Sequence, residues 1–227
     1  MRAFVTGATG FAGSRLSRHL ASLGFEVRAL ARPTSDLQAL DGKRIEIVTG
    51  DVRDLKSLEN GMRGADLVFH LAAIFRQVGK SDSEYEAVNV QGTKNAVEAA
   101  ARTGIKRFVH CSTVGVHGDT GSTPATEDSP LIEAKDSYNR TKLAAERWAR
   151  DGVPEHPRAW LITTARNRAP GDCCCFLSTM LISAPHHSSH GPSGHSASLS
   201  ISPIGPHSAT IIIAFEAVVN HQGETSP

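Results

Sequence analysis

The fold is decided by the stretch Thr6-Gly7-Ala8-Thr9-Gly10-Phe11-Ala12-Gly13, which continues the short apolar run 3–6. Leucines at 16, 20 and 23 then recur at helical spacing until Gly24. Glycines spaced three apart permit a tight turn, a close approach of the backbone to a phosphate, and close packing of a helix on a strand. The start of a helix attracts anions. The sequence therefore predicts a pyrophosphate-binding turn rather than a purely structural one, with contacts from Gly7, Thr9, Gly10, Phe11, Ala12 and Gly13.

Strand and helix signals alternate through the first 150 residues. Further strands are predicted at 26–31, 44–48, 66–71 and 106–112, and helices at 85–102 and 137–150. This alternation is typical of a parallel sheet covered by helices on both faces. We therefore expect an α/β fold, a doubly wound Rossmann-type sheet.

Composition excludes several classes of protein. The 24 Lys and Arg nearly balance the 23 Asp and Glu, so net charge gives no reason to expect nucleic acid or a membrane surface as partner. No run of apolar residues is long enough to span a bilayer, and residues 1–7 do not resemble a signal peptide. The four cysteines, Cys111 and the adjacent Cys173, Cys174 and Cys175, form a poor disulfide framework, which favours a cytoplasmic location.

Tyr138 and Lys142 are the candidate catalytic pair, because they lie one turn apart on the same face of a predicted helix. A tyrosine with its usual pKa of about 10 is a poor base at neutral pH. We expect the Lys142 ammonium to lower that pKa and to hold the nicotinamide ribose. A hydroxyl from Ser112 or Thr113, after the fifth strand, would fix the substrate oxygen. Taken alone, the pair could be incidental; behind a dinucleotide-binding half it predicts acid/base catalysis.

Residues at the strand ends bear on the cofactor. After the second strand, Ala31 is followed by Arg32 instead of the acidic residue that favours NAD. Arg32 could pair with a 2′-phosphate, so we expect NADP in preference to NAD, although Arg32 could also be an ordinary solvated side chain. Further cofactor contacts are expected near the adenine from Asp51 and Val52, and after the fourth strand from Leu71, Ala72 and Ala73.

The sequence changes character after residue 150. Residues 184–227 are rich in Ser, Pro and His, and only the run 209–219 could form a strand or a short helix. We therefore divide the chain into a dinucleotide-binding domain at 1–150 and an atypical, poorly ordered tail at 151–227. The tail also contains residue types that bind zinc: Cys173, Cys174, Cys175, His186, His187, His190 and His195. The cysteine triplet and the irregular histidines lack the spacing of zinc sites, so we expect no metal site.

Six short motifs resemble the extended short-chain dehydrogenase/reductase family of NAD(P)-dependent epimerases, dehydratases and dihydroflavonol-type reductases. They follow the family's order and spacing, at residues 6–13, 50–52, 70–73, 89–93, 111–118 and 138–142. The resemblance implies Tyr138 as the catalytic acid/base, Lys142 as its partner and Thr113 as the catalytic hydroxyl. Asn89, Tyr138 and Lys142 are also expected to border the cofactor.

The tail departs from this family, whose members continue past the lysine with another strand, an R-P…Y-G-P-G stretch and a small substrate-binding domain. Only residues 170–172 echo that stretch. We interpret the tail as the product of a truncation or of a reading frame lost between residues 150 and 170, which would leave the sheet incomplete.

Two functions follow from this reading. The first is an epimerase, dehydratase or reductase acting on a hydroxyl or keto group of a nucleotide sugar or another small molecule. The alternative is a catalytically impaired dinucleotide-binding protein that lacks the substrate domain. The resemblance also implies a homodimer formed through the helices at 85–102 and 137–150.

Overall fold

The computed structural model describes residues 1–42, 44–118, 129–151, 159–162, 179–182, 200–203 and 209–214. The chain divides into two units, Met1–Thr163 and Thr164–Pro227. The tail cysteines and histidines considered as metal ligands lie outside the described residues. Within the described ranges, no three His, Cys, Asp or Glu side chains lie together as a metal site would require.

The first unit contains a six-stranded parallel sheet. Its strands are β1 (Arg2–Thr6), β2 (Glu26–Ala31), β3 (Ile45–Thr49), β4 (Leu67–His70), β5 (Arg107–Cys111) and β6 (Ala159–Ile162). They lie in the order β3-β2-β1-β4-β5-β6, so the chain reverses direction across the sheet between β1 and β4. This is the strand order of a Rossmann sheet, and it confirms the predicted α/β doubly wound fold.

Helices connect these strands. They are α1 (Phe11–Ser22), α2 (Leu55–Met62), α3 (Asp82–Tyr85), α4 (Gly92–Arg102) and α5 (Ser137–Asp151). A π-helical turn, Glu86–Gln91, joins α3 to α4, and short 3₁₀ helices lie at Gln38–Leu40 and Val114–His117. The predicted helix at 85–102 is therefore continuous but contains one widened turn. None of the helices in the described ranges is both long and apolar enough to cross a membrane.

The core forms where the central strands meet the helices. Phe4 and Val68 are fully buried with Leu58 and Met62 of α2, and α4 adds small residues such as Ala96. Helix α2 lies so close to β1 that a Cβ at Gly61 would come within 2.4 Å of the Phe4 ring. A rigid core therefore supports the carboxyl ends of β1, β4 and β5.

Strand β6 is the main difference from the sequence prediction. It pairs in parallel with β5, in a register that places Phe108 opposite Ala159. The run 159–162 has only four apolar residues, too few for their periodicity to separate a strand from a helix. The expected boundary after residue 150 stays a prediction.

The described residues of the second unit form three short antiparallel strands. These are β7 (Thr179–Ile182), β8 (Ser200–Pro203) and β9 (Ala209–Ala214), in the order β7-β9-β8. The apolar run that the sequence left open between strand and helix is a strand over residues 209–214.

Candidate active site

The glycine-rich turn between β1 and α1 is fixed by steric contacts. Gly7 has φ +67°, and a Cβ there would lie 2.7 Å from the Ala72 nitrogen. A Cβ at Gly13 would lie 2.1 Å from the Gly7 carbonyl oxygen. Both positions therefore require glycine, one for the turn and for contact with the end of β4, the other for packing of α1 on the turn.

Gly10 requires a different explanation. Its φ of −81° and ψ of 172° suit any residue, and a Cβ would meet only the Gly7 oxygen, at 3.3 Å. Gly10 is the N-cap of α1, provides no capping side chain, and is followed by a first turn without an acidic residue. The positive end of the helix dipole is thus open to an anion, and the turn fits a pyrophosphate.

The other residues predicted in this turn lie beside the start of α1. Thr9 is half-buried, whereas Phe11 and Ala12 are exposed. The Arg15 guanidinium stacks 3.7 Å from the centroid of the Phe11 ring, which brings a cation to the same helix end.

The ends of β2 and β3 bring three charged side chains together. Arg32 is exposed, and Asp51 forms a 2.7 Å ion pair with Arg53. The hydrogen bond from Arg53, with a smaller effect from the charge of Arg32, holds the pKa of Asp51 below its usual value. The predicted neighbour Val52 is buried, and its carbonyl accepts a 3.0 Å hydrogen bond from Asn95 of α4.

The end of β4 lies directly against the glycine turn. The Leu71 amide donates to the Thr6 carbonyl at 3.2 Å, and the Ala72 amide donates to the Thr6 hydroxyl at the same distance. Leu71, Ala72 and Ala73 are half-buried. The structure therefore brings together the two segments that were predicted to flank the cofactor.

Asn89 joins three parts of the site from within the π-helical turn. Its side-chain oxygen accepts from the Ile74 amide at 2.8 Å, and its amide nitrogen donates to the Ile74 carbonyl and to the Thr141 hydroxyl. Widened turns of this type often occur at functional sites. Asn89 holds the loop after β4 to helix α5, and its predicted place beside the cofactor stays a prediction.

Tyr138, Thr113 and Lys142 meet at the carboxyl end of β5. The Thr113 hydroxyl accepts from the Gly115 amide at 3.3 Å and favours the ionised form of Tyr138, lowering the pKa of the phenol. Lys142 is buried, and its ammonium donates to the Cys111 carbonyl. The three candidate catalytic residues are thus at one location, as the sequence predicted.

The pKa of Tyr138 differs from the expectation. Burial raises the pKa of this phenol and Cys111 adds to the effect, whereas the Thr113 hydroxyl and the Arg76 charge only partly oppose it. Burial also lowers the pKa of Lys142, while Cys111 and Glu146 act in the opposite direction. The expected lowering of the tyrosine pKa is therefore wrong, because the phenol is buried and the Lys142 ammonium donates to the Cys111 carbonyl.

The loop after β4 carries residues that the sequence analysis did not identify. Phe75, which is 55% exposed, packs edge-on against the Tyr138 ring with centroids 4.9 Å apart. Arg76 has φ +38°, a strained value for an arginine. The signal that could have revealed them is a bulky apolar residue beside an arginine in a surface loop.

Glu146 was also missed. It is fully buried on α5, where its carboxylate accepts a hydrogen bond from Ser112. An acidic residue one turn after Lys142, on the helix face that buries Leu143 and Ala145, was the available signal.

Comparison with known proteins agrees with this geometry. Residues 3–166 match the model of the NAD dependent epimerase/dehydratase family, so the chain belongs to that family. This confirms the resemblance to extended short-chain dehydrogenases/reductases.

Two curated relatives illustrate the family. The chain is 38% identical over 149 residues to a putative dihydroflavonol 4-reductase from Synechocystis, covering 64% of this chain and 43% of the relative. It is 36% identical over 162 residues to a 3β-hydroxysteroid dehydrogenase/Δ5→4-isomerase from Mycobacterium tuberculosis, covering 67% of this chain and 43% of the relative. The chain thus spans less than half the length of these relatives.

Among solved structures, the chain resembles DesIV, a dTDP-glucose 4,6-dehydratase from Streptomyces venezuelae that was crystallised with NAD. The TM-score is 0.67 at 32% identity, with 75% of this chain and 57% of that chain covered. The similar proteins therefore include both a reductase and an enzyme of nucleotide-sugar metabolism.

Proposed function

We propose that this protein is an NAD(P)-dependent oxidoreductase that interconverts a hydroxyl and a keto group on a small molecule. The observation that carries this proposal is the convergence of Tyr138 and Lys142 of α5 with Thr113 at the carboxyl end of β5. In an open parallel sheet, ligands bind at this edge, close to the point where the strand order reverses. The glycine turn after β1 lies at the same edge.

Each catalytic side chain has a specific role in this proposal. The dinucleotide, when bound, supplies the hydride acceptor or donor. Thr113 holds the substrate oxygen, and the Tyr138 oxygen takes the proton from a substrate hydroxyl during oxidation or returns it during reduction. Lys142 provides the positive charge that favours the phenolate, for which its ammonium must act on Tyr138 rather than on the Cys111 carbonyl.

Phe75 supports a substrate with an apolar ring. Its exposed ring lies against Tyr138, so a flat apolar group could pack beside the reacting oxygen. The two curated relatives described above are named for ring compounds of this kind, a dihydroflavonol and a hydroxysteroid. A nucleotide sugar is the other substrate class, supported by the likeness to DesIV.

Arg32 supports NADP as the preferred dinucleotide, because its exposed guanidinium lies beyond β2 and could pair with a 2′-phosphate.

We further propose a cytoplasmic homodimer that associates through α4 and α5. No part of this proposal requires nucleic acid, a membrane or a metal ion.

The second candidate is a dinucleotide-binding protein without turnover. It is favoured by the raised pKa of Tyr138 and by the bond from Lys142 to the Cys111 carbonyl. A phenol in that state is a poor base, whereas the glycine turn is unaffected.

Tyr138→Phe distinguishes these functions. For an enzyme, loss of the phenol should reduce turnover by about 10²–10⁴-fold while dinucleotide affinity is kept. Turnover is followed by the absorbance of the reduced nicotinamide with ring ketones and nucleotide sugars as substrates, and affinity by calorimetry.

The matched control is Tyr85→Phe, because Tyr85 is the other of the chain's two tyrosines. Within the described part of the chain its hydroxyl bonds to the backbone of Gln77 alone, so this variant should keep turnover within about tenfold. A wild-type chain that binds the dinucleotide but turns over no substrate of either class would establish the second candidate.

A further inference from the structure

Three residues of α5 lie on the helix face that meets β5. Tyr138, Lys142 and Glu146 are spaced four apart, so their side chains form one row. Lys142 is 3% exposed and Glu146 is fully buried. The proposed reaction uses the first two and leaves the third without a role.

Lys142 and Glu146 bind consecutive residues at the end of β5. The Lys142 ammonium donates to the Cys111 carbonyl, and the Ser112 hydroxyl donates to Glu146 Oε2. The next residue is Thr113, whose hydroxyl favours the phenolate of Tyr138 and so lowers the pKa of that phenol. This double attachment fixes the strand end from which the catalytic hydroxyl projects.

A buried carboxylate is costly unless a positive charge compensates it. The titratable groups that act on Lys142 come from three elements: His70 on β4, His110 and Cys111 on β5, and Glu146 on α5. Burial, together with the charge of Lys142, lowers the pKa of both histidines, so they are neutral at pH 7. Burial raises the pKa of the Cys111 thiol, which is likewise neutral. With the thiol neutral, Glu146 is the remaining group of this set whose charge raises the pKa of Lys142.

We propose that Glu146 is a positioning residue for the catalytic pair: its carboxylate keeps the buried Lys142 amine protonated, and its bond to Ser112 fixes the strand end that carries Thr113. This inference rests on the proposed function only for its catalytic meaning. The charge state of Lys142 is a property of the protein without substrate.

The test is an NMR titration of the Lys142 side chain, observed through its ¹³Cε and ¹⁵Nζ signals and assigned by their loss in Lys142→Arg. Glu146→Gln removes the charge but keeps a carbonyl that can accept from Ser112. We expect the acid dissociation constant of Lys142 to rise about tenfold in this variant. Glu98→Gln is the matched control, because Glu98 is an exposed glutamate on α4, and it should leave the constant unchanged.

An unchanged constant in a folded Glu146→Gln protein would overturn the proposal. If that variant does not fold, Glu146→Asp provides the test. Its side chain is one methylene shorter, so the carboxylate keeps its charge but lies farther from Lys142. A smaller rise in the constant supports the proposal, and no change overturns it. The titration needs no turnover, so failure of the proposed reaction would leave this result intact.

Discussion

At the scale of single residues, Tyr138 is held between opposing influences. Burial favours the neutral phenol, whereas the Thr113 hydroxyl and the Arg76 guanidinium favour the phenolate. Lys142 would tip this balance if its ammonium acted on the phenol rather than on the Cys111 carbonyl. The position of one ammonium group therefore decides whether the tyrosine is a competent base.

Arg32 gives a prediction about cofactor choice. Arg32→Ala should weaken NADP binding by about tenfold, the value of one charge-assisted hydrogen bond to the 2′-phosphate, and leave NAD affinity unchanged. Calorimetric titration with both dinucleotides measures the difference. Arg18→Ala removes an exposed arginine from the middle of α1 and serves as the control. Equal weakening of both dinucleotides would show that Arg32 does not read the phosphate.

The candidate catalytic residues were predictable because the proposed chemistry leaves a regular trace in the sequence. Tyr138 and Lys142 show helical spacing, and Thr113 directly follows a strand. Phe75 leaves no such trace, because its contact with Tyr138 depends on how a loop folds back. The pKa of Tyr138 was mispredicted because burial and the direction of the Lys142 side chain are properties of the folded protein.

At the scale of elements, two glycines of the β1–α1 turn are expected to differ in role: Gly13 supports the stability of the fold, and Gly10 supports dinucleotide binding. Gly13→Ala should destabilise the protein by about 2–4 kcal/mol, because the new methyl group would overlap the Gly7 carbonyl.

Gly10→Ala should change the melting temperature by only a few degrees. It should nevertheless weaken dinucleotide binding by about tenfold, since the added methyl group obstructs the backbone at the phosphates. Thermal melts and calorimetry on both variants measure these effects.

The contrary result would be a Gly10→Ala protein with unchanged affinity. Neither backbone conformation nor dinucleotide binding would then explain why residue 10 is a glycine.

Helices α1, α4 and α5 and the first five strands of the sheet were predictable because each combines an apolar pattern with a clear stop. Gly24 and Gly104, for instance, both have positive φ and lie just past a helix. Strand β6 lacked such a signal because four apolar residues carry no readable period. The π-helical turn around Asn89 was equally hidden, since its sequence continues a normal helical pattern.

At the scale of the whole molecule, two buried histidines set the response to acid. Burial lowers the pKa of His70 from 6.5 to about 3, and lowers that of His110 as well. The unfolded chain therefore binds more protons than the folded protein as the pH falls below 6.5. The contribution of His70 to stability is complete above that pH and is lost by up to about 1.4 kcal/mol per pH unit as the pH decreases toward 3, and His110 adds a loss in the same direction.

His110→Phe should reduce this acid sensitivity. Among the described residues, neither ring nitrogen of His110 has a hydrogen-bond partner, so phenylalanine removes a titrating group without breaking a bond. Urea unfolding at pH 7 and at about pH 5 should show that the variant loses roughly half as much stability as the wild type. His19→Gln, at a half-exposed position on α1, should behave like the wild type. An undiminished loss in His110→Phe would assign the acid sensitivity to other groups.

The loop after β4 is attached at two points that bracket Phe75 and Arg76. Asn89 holds Ile74 on one side, and the Tyr85 hydroxyl accepts from the Gln77 amide at 2.9 Å on the other. Because both contacts are made within the protein itself, little conformational entropy would be lost by this segment if a molecule bound beside it. A segment preorganised in this way would select molecules by shape. Binding beside it would not have to wait for a conformational change.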